Sequence, residues 1–349
     1  MDQLHDKRPF ARTGIEIPPI IFGSSAMGNL YRAMPYEEKR SIAEEWFRTV
    51  ASPVVIDSAG KYGAGLALET IGRLLHDLGV SPSSVILSNK LGWKRVPLHA
   101  PEPTFEPGVW KGLNSDAEQA ISYTGILECW EQGCELLGGD YRPALVSVHD
   151  PDEFLSAASD SRNREARFEQ VLEAYRGLDE LKSSGAVAAV GVGAKDWRVI
   201  REIDQAVDLD WVMLACSLTV QTHVRELLEF VASLRQRGIG IVNSAVFNSG
   251  FLIGGEYYNY RKPDPVSEEG LFRWRDGFLR LCHDYSVKPS DACVEFGLSA
   301  PGVSAVALNT GNPRHVTANV QSVLSKAPSE FWQRMKIEHL IDADYSLSA

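Results

Sequence analysis

Four polar residues stand at the ends of apolar, strand-like runs: Asp57 in VVIDSA, Tyr62 just after it, Lys90 closing VILSNK, and His149 closing LVSVH. Brought to one rim, they compose a proton relay. A free phenol has a pKa near ~10 and is a poor acid or base at neutral pH. A lysine cation beside it favours the phenolate, and a carboxylate holds that lysine in place. The imidazole then donates a hydrogen bond to a substrate oxygen, and the tyrosine acts as general base in oxidation and general acid in reduction. Hydride transfer itself calls for a nicotinamide cofactor, because no side chain carries hydride. Taken singly, each residue has an ordinary structural reading: Asp57 as a helix cap, Lys90 as a solvated strand end, His149 with Asp150 as a turn pair, Tyr62 as packing.

What must position the four is a set of eight short runs rich in Val, Ile, Leu and Ala: PPIIFGSS, VVIDSA, VILSNK, LVSVHD, VAAVGVG, WVMLACS, IGIVNSAV and SAVALNT. Continuous apolar runs suit parallel strands buried on both faces. Between them lie amphipathic segments, among them EEKRSIAEEWFRTV, LETIGRLLHDL, AEQAISYTGILECWEQGCELL, FEQVLEAYRGLDELK, DWRVIREIDQAV and VRELLEFVASLRQRG, with Gly79, Gly185 and Gly238 at helix C-caps. Eight strand-then-helix units, with no GxGxxG after the first strand, predict an α/β fold of the (β/α)8 (TIM) barrel type rather than a doubly wound sheet. Residues 1–349 are read as one domain, with the segment before Pro18 closing the barrel bottom. Two insertions break the rhythm: the proline-rich 94–116, a long loop over the rim, and GGEYYNYRKPDPVSEEG after the seventh strand.

Composition narrows the function. A formal charge of −11 without a Lys/Arg block disfavours nucleic acid and anionic membrane surfaces as partners. Five cysteines (Cys129, Cys134, Cys216, Cys282, Cys293), without CxxC or zinc spacing, read as reduced and mostly buried. No signal peptide or membrane-spanning stretch is visible, and a cytoplasmic address is expected. No metal is expected: HxH and HExxH pairs are missing at the strand ends, and Lys90 would place a competing cation there.

As they stand, these residues resemble the aldo-keto reductase superfamily, whose Asp, Tyr, Lys and His arise from the second, third and fourth barrel strands. The resemblance runs from RPFARTGIEIPPIIFGSSAMG through IDSAGKYGAGLALETIGRLL, SNKLG, SVHDPDEF and LDELKSSGAVAAVGVG to GIGIVNSAVFNSGFLIGG. HDPDEF and VNSAVFNSGFL look most like the branch that oxidises aldoses at C1, the D-threo-aldose (L-fucose) and L-galactose dehydrogenases. The resemblance implies that NSAVFNSGFLIGG is the pyrophosphate loop, with Phe247, Asn248, Ser249, Gly250 and Leu252 as contacts. It implies that LNTGNPRHVTAN, with Asn309, Thr310, Gly311, Arg314, His315 and Asn319, takes the adenosine end. NADP-preferring members usually place Lys and Arg where this chain has Asn309 and His315, so NAD is favoured, with NADP not excluded. The family's aromatic ring over the nicotinamide is replaced by Leu218 in CSLTVQTH, and its Ser and Asn after the fifth strand by GVGAKDW, where Lys195 or Asp196 would substitute.

The leading expectation is an NAD(P)-dependent oxidoreductase that takes an aldose-like sugar to its lactone, with Trp93 and Trp110 facing a small carbonyl or sugar substrate. An aldehyde or ketone reductase, including one for pyridoxal-type aldehydes, uses the same residues in reverse. A nicotinamide-binding sensor without useful turnover is the reading from a different class. A homo-oligomer is compatible with each.

Overall fold

Strands form where the apolar runs lie. In the computed structural model, which describes residues 3–347, eight parallel strands close a barrel: β3 (Ile20–Gly23), β4 (Val54–Ala59), β5 (Val85–Leu91), β8 (Leu145–His149), β9 (Ala189–Ala194), β10 (Trp211–Ala215), β11 (Gly240–Ser244) and β12 (Val303–Leu308), in that circular order. Met1, Asp2, Ser348 and Ala349, the ends of the single unit expected from the sequence, lie outside the described residues. The strands are mainly apolar away from their C-terminal ends because both faces are covered: one side packs into the barrel interior, the other against helices. Fully burying each Val, Leu or Ile is worth roughly 1.5–3 kcal/mol.

The bottom is sealed as expected. The short strands β1 (Arg8–Pro9) and β2 (Glu16–Ile17) pair antiparallel and carry fully buried Phe10 against Trp211, ring centroids 6.1 Å apart. The glycines expected as C-caps, Gly79, Gly185 and Gly238, all take positive φ just past their helices.

The first insertion differs from the long loop expected. Its ends pair as an antiparallel hairpin, β6 (Trp93–Pro97) with β7 (Ser115–Gln119), so that Trp93 lies opposite Gln119 and Pro97 opposite Ser115. The helix expected from Ala117 therefore begins only at Tyr123, where Ser122 caps it by accepting from the Gly125 amide at 3.1 Å. The barrel's rigid rim thus carries a stiff two-stranded stem, with residues 98–114 bent back over the strand ends.

Candidate active site

The register of the barrel strands gathers the four residues at the C-terminal rim. Asp57 lies opposite Ser88, Lys90 opposite Ala59 on one side and Ser147 on the other, and His149 opposite Gly193. Gly193 makes room for the lysine: a Cβ there would come within 3.2 Å of the Lys90 Cδ. Tyr62 sits in the turn after β4, where Gly63 (φ +62) crosses Gly28 so closely that a Cβ on it would stand 2.2 Å from the Gly28 carbonyl oxygen. Only glycine permits both that conformation and that approach, and the crossing sets the height of the phenol.

Lys90 is buried and paired with Asp57, and it donates to the Ser58 carbonyl at 3.2 Å. Asp57 also accepts from the Ser88 hydroxyl at 2.9 Å. The Lys90 Nζ lies 4.7 Å from the centre of the Tyr62 ring, and the His149 ring meets that ring edge-on at 5.6 Å. The four predicted residues are therefore brought together.

The electrostatics differ from the expectation that lysine would make Tyr62 acidic. Tyr62 keeps some exposure where it lines the cavities, yet burial above all, and then the negative charges of Asp57 and Asp150, hold its pKa well above the usual 10. The carboxylate that fixes Lys90 thus raises the phenol's pKa, and the cation that opposes it is Lys61. Burial likewise pushes the His149 pKa well below 6.5, so the ring is neutral at pH 7. Its Nε2 lies 3.5 Å from an oxygen of Asp150, and its Nδ1 is buried without a hydrogen-bond partner.

Two joined cavities meet at Tyr62. The smaller, of about 170 Å³, is lined by Tyr62, Lys90, His149, Trp110, Tyr31 and Tyr260, with Lys61, Glu106, Asp150 and Lys195 completing its charged wall. The larger, of about 560 Å³, runs from Asp57 and Tyr62 past Phe247, Ser249 and Gly250 to Asn309, Thr310, Gly311, His315 and Asn319. Its far end abuts the helix Pro313–Leu324, whose dipole favours negative charge at that end; Pro313 has no amide hydrogen, and the Arg314 and His315 amides donate to Asn312. The loop from Ala245 to Gly250 has left-handed backbone at Ala245, Asn248, Ser249 and Gly250, the kind of tight turn that closes around an anion. The groove's donors and shape fit a nicotinamide dinucleotide.

Several expected contacts stand elsewhere. Trp93 is buried beside Phe105 and lines neither cavity; Lys61 lies over its ring at 4.9 Å. Asn248 is fully buried and pins the loop from behind, donating to Asn259 at 2.8 Å and to the Cys216 carbonyl at 3.3 Å. Leu252 is core, and the exposed Arg314 lies outside the groove lining. Leu218 is also core, so it replaces no ring; Tyr260 from the second insertion lines both cavities, as do Tyr31 and Tyr62, and is held by its amide's bond to Ser249 at 2.9 Å. Asp196 caps the helix Trp197–Asp204, and Lys195 pairs with Glu153 while facing the smaller cavity.

Sequence reasoning missed the cluster around Lys61, whose ammonium meets Glu106 at 3.0 Å, Asp150 at 2.8 Å and Glu153 at 2.7 Å. The signal was present in two places: a lone lysine in the apolar AGKYG, and three acids within HDPDE.

Among the described residues, no set of three or more His, Cys, Asp or Glu is placed to hold a metal ion, and no helix is long and apolar enough to cross a membrane. All five cysteines are unbridged.

Comparison with known proteins agrees with the geometry. The chain is 26% identical to pyridoxal 4-dehydrogenase of Microbacterium luteolum, over 96% of this chain and 98% of that one. It is equally 26% identical to D-threo-aldose 1-dehydrogenase of a Pseudomonas species, over 95% and 97%. A solved aldo-keto reductase from Bacillus halodurans in its holo form superposes with a TM-score of 0.67 at 18% identity, covering 98% of each chain. Residues 19–338 match the model of the aldo/keto reductase family. With an eight-stranded parallel barrel, a dinucleotide-shaped groove and a match over nearly its whole length, the chain belongs to the aldo/keto reductase family of oxidoreductases.

Proposed function

We propose that this chain oxidises an aldose-like cyclic sugar at C1 to its lactone, with NAD as the favoured cofactor and Tyr62 as the group that moves the proton. The observation that carries this reading is the shared position of Tyr62: it lines both the small cavity and the long groove. The residues lining the groove would hold the dinucleotide so that Tyr62 faces both it and a substrate in the small cavity. Bound there, nicotinamide supplies hydride acceptance, or hydride itself in its reduced form.

The chain's own residues handle the proton and the oxygen. Tyr62 accepts the C1 hydroxyl proton as the C–H electron pair departs, and it returns that proton in the reverse reaction. Neutral His149 donates a hydrogen bond to the same oxygen and orients it. Lys90, fixed by Asp57, steadies the phenolate that forms.

The preference for NAD rests on the adenosine end of the groove. The basic residues lining it are Arg32 and His315, and Arg32 is bound to Glu38 at 2.6 Å, which leaves no unpaired Lys or Arg among the described lining residues for a 2′-phosphate. The two curated relatives, dehydrogenases for pyridoxal and for D-threo-aldoses, support the oxidative direction.

One observation favours the reverse direction, reduction of an aldehyde or ketone: a phenol held protonated is already the acid that such a reaction needs. The test is absorbance at 340 nm with NAD or NADP and a panel of aldoses and pyridoxal, run beside NAD(P)H with simple aldehydes. Sugar-dependent reduction of NAD upholds the proposal. Activity only with NAD(P)H and aldehydes transfers the chain to the carbonyl reductases, and silence in both arms sinks the assignment of these four residues.

A further inference from the structure

The proline-rich insertion reaches the site through one unusual residue. Glu106 has left-handed backbone (φ +44), a conformation uncommon for a non-glycine residue and costly unless its surroundings hold it. Its side chain is the evident holder. One oxygen meets the Lys61 ammonium at 3.0 Å, and the other accepts from the Trp110 indole at 2.7 Å.

Each end of that bridge matters. Lys61 is an immovable post: its side chain is 3% exposed and tied also to Asp150 and Glu153. Trp110 lines the small cavity, with its ring 5.9 Å from that of Tyr62 and 6.3 Å from that of Phe105. The backbone of Trp110 is separately anchored by a bridge to Leu30, and the Tyr31 amide donates to the Val109 carbonyl at 2.8 Å. What Glu106 adds is therefore the orientation of the indole, not the course of the chain.

We propose that Glu106 is a positioning residue for substrate selection: by bridging Lys61 and Trp110 it seats the indole in the wall of the small cavity beside Tyr62, and so sets which substrates that cavity admits. This rests on the oxidoreductase reading above. Loss of Glu106 leaves Lys61 with two carboxylates, so the buried charges stay paired, and at Tyr62 it removes only the last of the influences on the phenol, behind burial, Asp57, Asp150 and Lys61. The indole, released from its acceptor, is free to swing.

Three variants separate this from a merely structural role. Glu106→Asn keeps a side chain that tolerates left-handed backbone but is too short to bridge. Glu106→Gln keeps the length and one acceptor, its carbonyl oxygen, for the indole, and gives up the bond to Lys61. Trp110→Phe removes the group being positioned. For the best substrate in the 340 nm panel, Glu106→Asn is expected to raise KM about tenfold or more with kcat within about threefold, and Glu106→Gln to recover most of that loss. Combined with Trp110→Phe, Glu106→Asn should add less than about a twofold change, because the two act through one contact. Equal falls in kcat and kcat/KM in Glu106→Asn, or effects that simply multiply in the double variant, overturn the proposal.

Solvent exchange of the Trp110 indole Nε1 proton, followed by NMR with 15N-labelled tryptophan and assigned by its loss in Trp110→Phe, keeps the idea testable if the wild type turns over nothing in the panel. Faster exchange of that proton in Glu106→Asn, slowed again in Glu106→Gln, upholds the bridge even if the functional reading has failed; unchanged exchange overturns it.

Discussion

Two buried lysines line the small cavity with the catalytic tyrosine proposed here. Each has a side chain 3% exposed. Lys90 projects from a barrel strand, meets the single carboxylate of Asp57, and lies against the Tyr62 ring. Lys61 comes from the turn beyond the strand and gathers Glu106, Asp150 and Glu153 from two other segments. A lone ion pair in the barrel leaves its cation close to one reacting group. A cation shared among three acids is committed to holding loops together, and its own pKa is driven above that of an ordinary lysine by those acids in spite of burial. The same residue type thus serves chemistry in one place and architecture in the other, and the number of acids it meets decides which.

Exchanging each lysine for methionine tests the contrast most directly. Lys90→Met is expected to cut turnover by roughly 10²–10⁴-fold while cofactor affinity, read by fluorescence titration, survives. Lys90→Met strands a single carboxylate, Asp57, which keeps the Ser88 hydroxyl, so the loss of stability should be the smaller of the two. Lys61→Met leaves three acids facing one another and should cost about 3–5 kcal/mol in urea unfolding at pH 7. Equal stability losses in the two variants would end the distinction.

The pH dependence sharpens it. Lys61 has a raised folded pKa, so its contribution is complete below the unfolded value of ~10.4 and is lost only as pH climbs past the folded one. Asp150 has a depressed pKa, so its share is present above ~3.9 and fades as pH falls through the folded value. The penalty of Lys61→Met should therefore hold from about pH 4 to 10 and shrink in acid, as the stranded carboxylates protonate. At Tyr62 the raised pKa has its own consequence: the rate of sugar oxidation should keep rising beyond pH 10, with no acid limb near the ordinary histidine value. A plateau reached by pH 8 would contradict the burial-dominated account of the phenol.

The smallest effect is expected at Ser88. Ser88→Ala removes one hydrogen bond to the Asp57 carboxylate and should cost about 1.5–3 kcal/mol of stability, with a fall in turnover of no more than about tenfold. A Lys90-sized loss of turnover would make Ser88 an equal partner in the relay rather than a support.

Most of the barrel was legible because its rules are local. Apolar runs such as VVIDSA and WVMLACS have no solvated face in a parallel sheet, and a polar residue closing such a run can point only to the rim. Asp57, Lys90 and His149 followed from that alone. The start of the helix after the insertion was misplaced because Ala117 and its neighbours fit a helical pattern, and only their pairing with β6 decided otherwise.

Which groups surround Tyr62 was settled by tertiary structure, because each depends on contacts between segments far apart in the chain. Trp93 and Trp110 are the same residue type in one insertion, yet the hairpin turns Trp93 into a buried aromatic layer and the bridge of Glu106 turns Trp110 toward the cavity. Asn248 and Leu252 belong to a loop that fits a dinucleotide, but their side chains are used to build that loop. Tyr260 reaches both cavities from a segment whose composition marks only a surface loop. The chain's pattern of burial determined the fold and the four rim residues, since period and strand direction are properties of sequence. The acidity of Tyr62 and the walls around it were decided only on folding, since electric fields and side-chain packing depend on distances that no local pattern encodes.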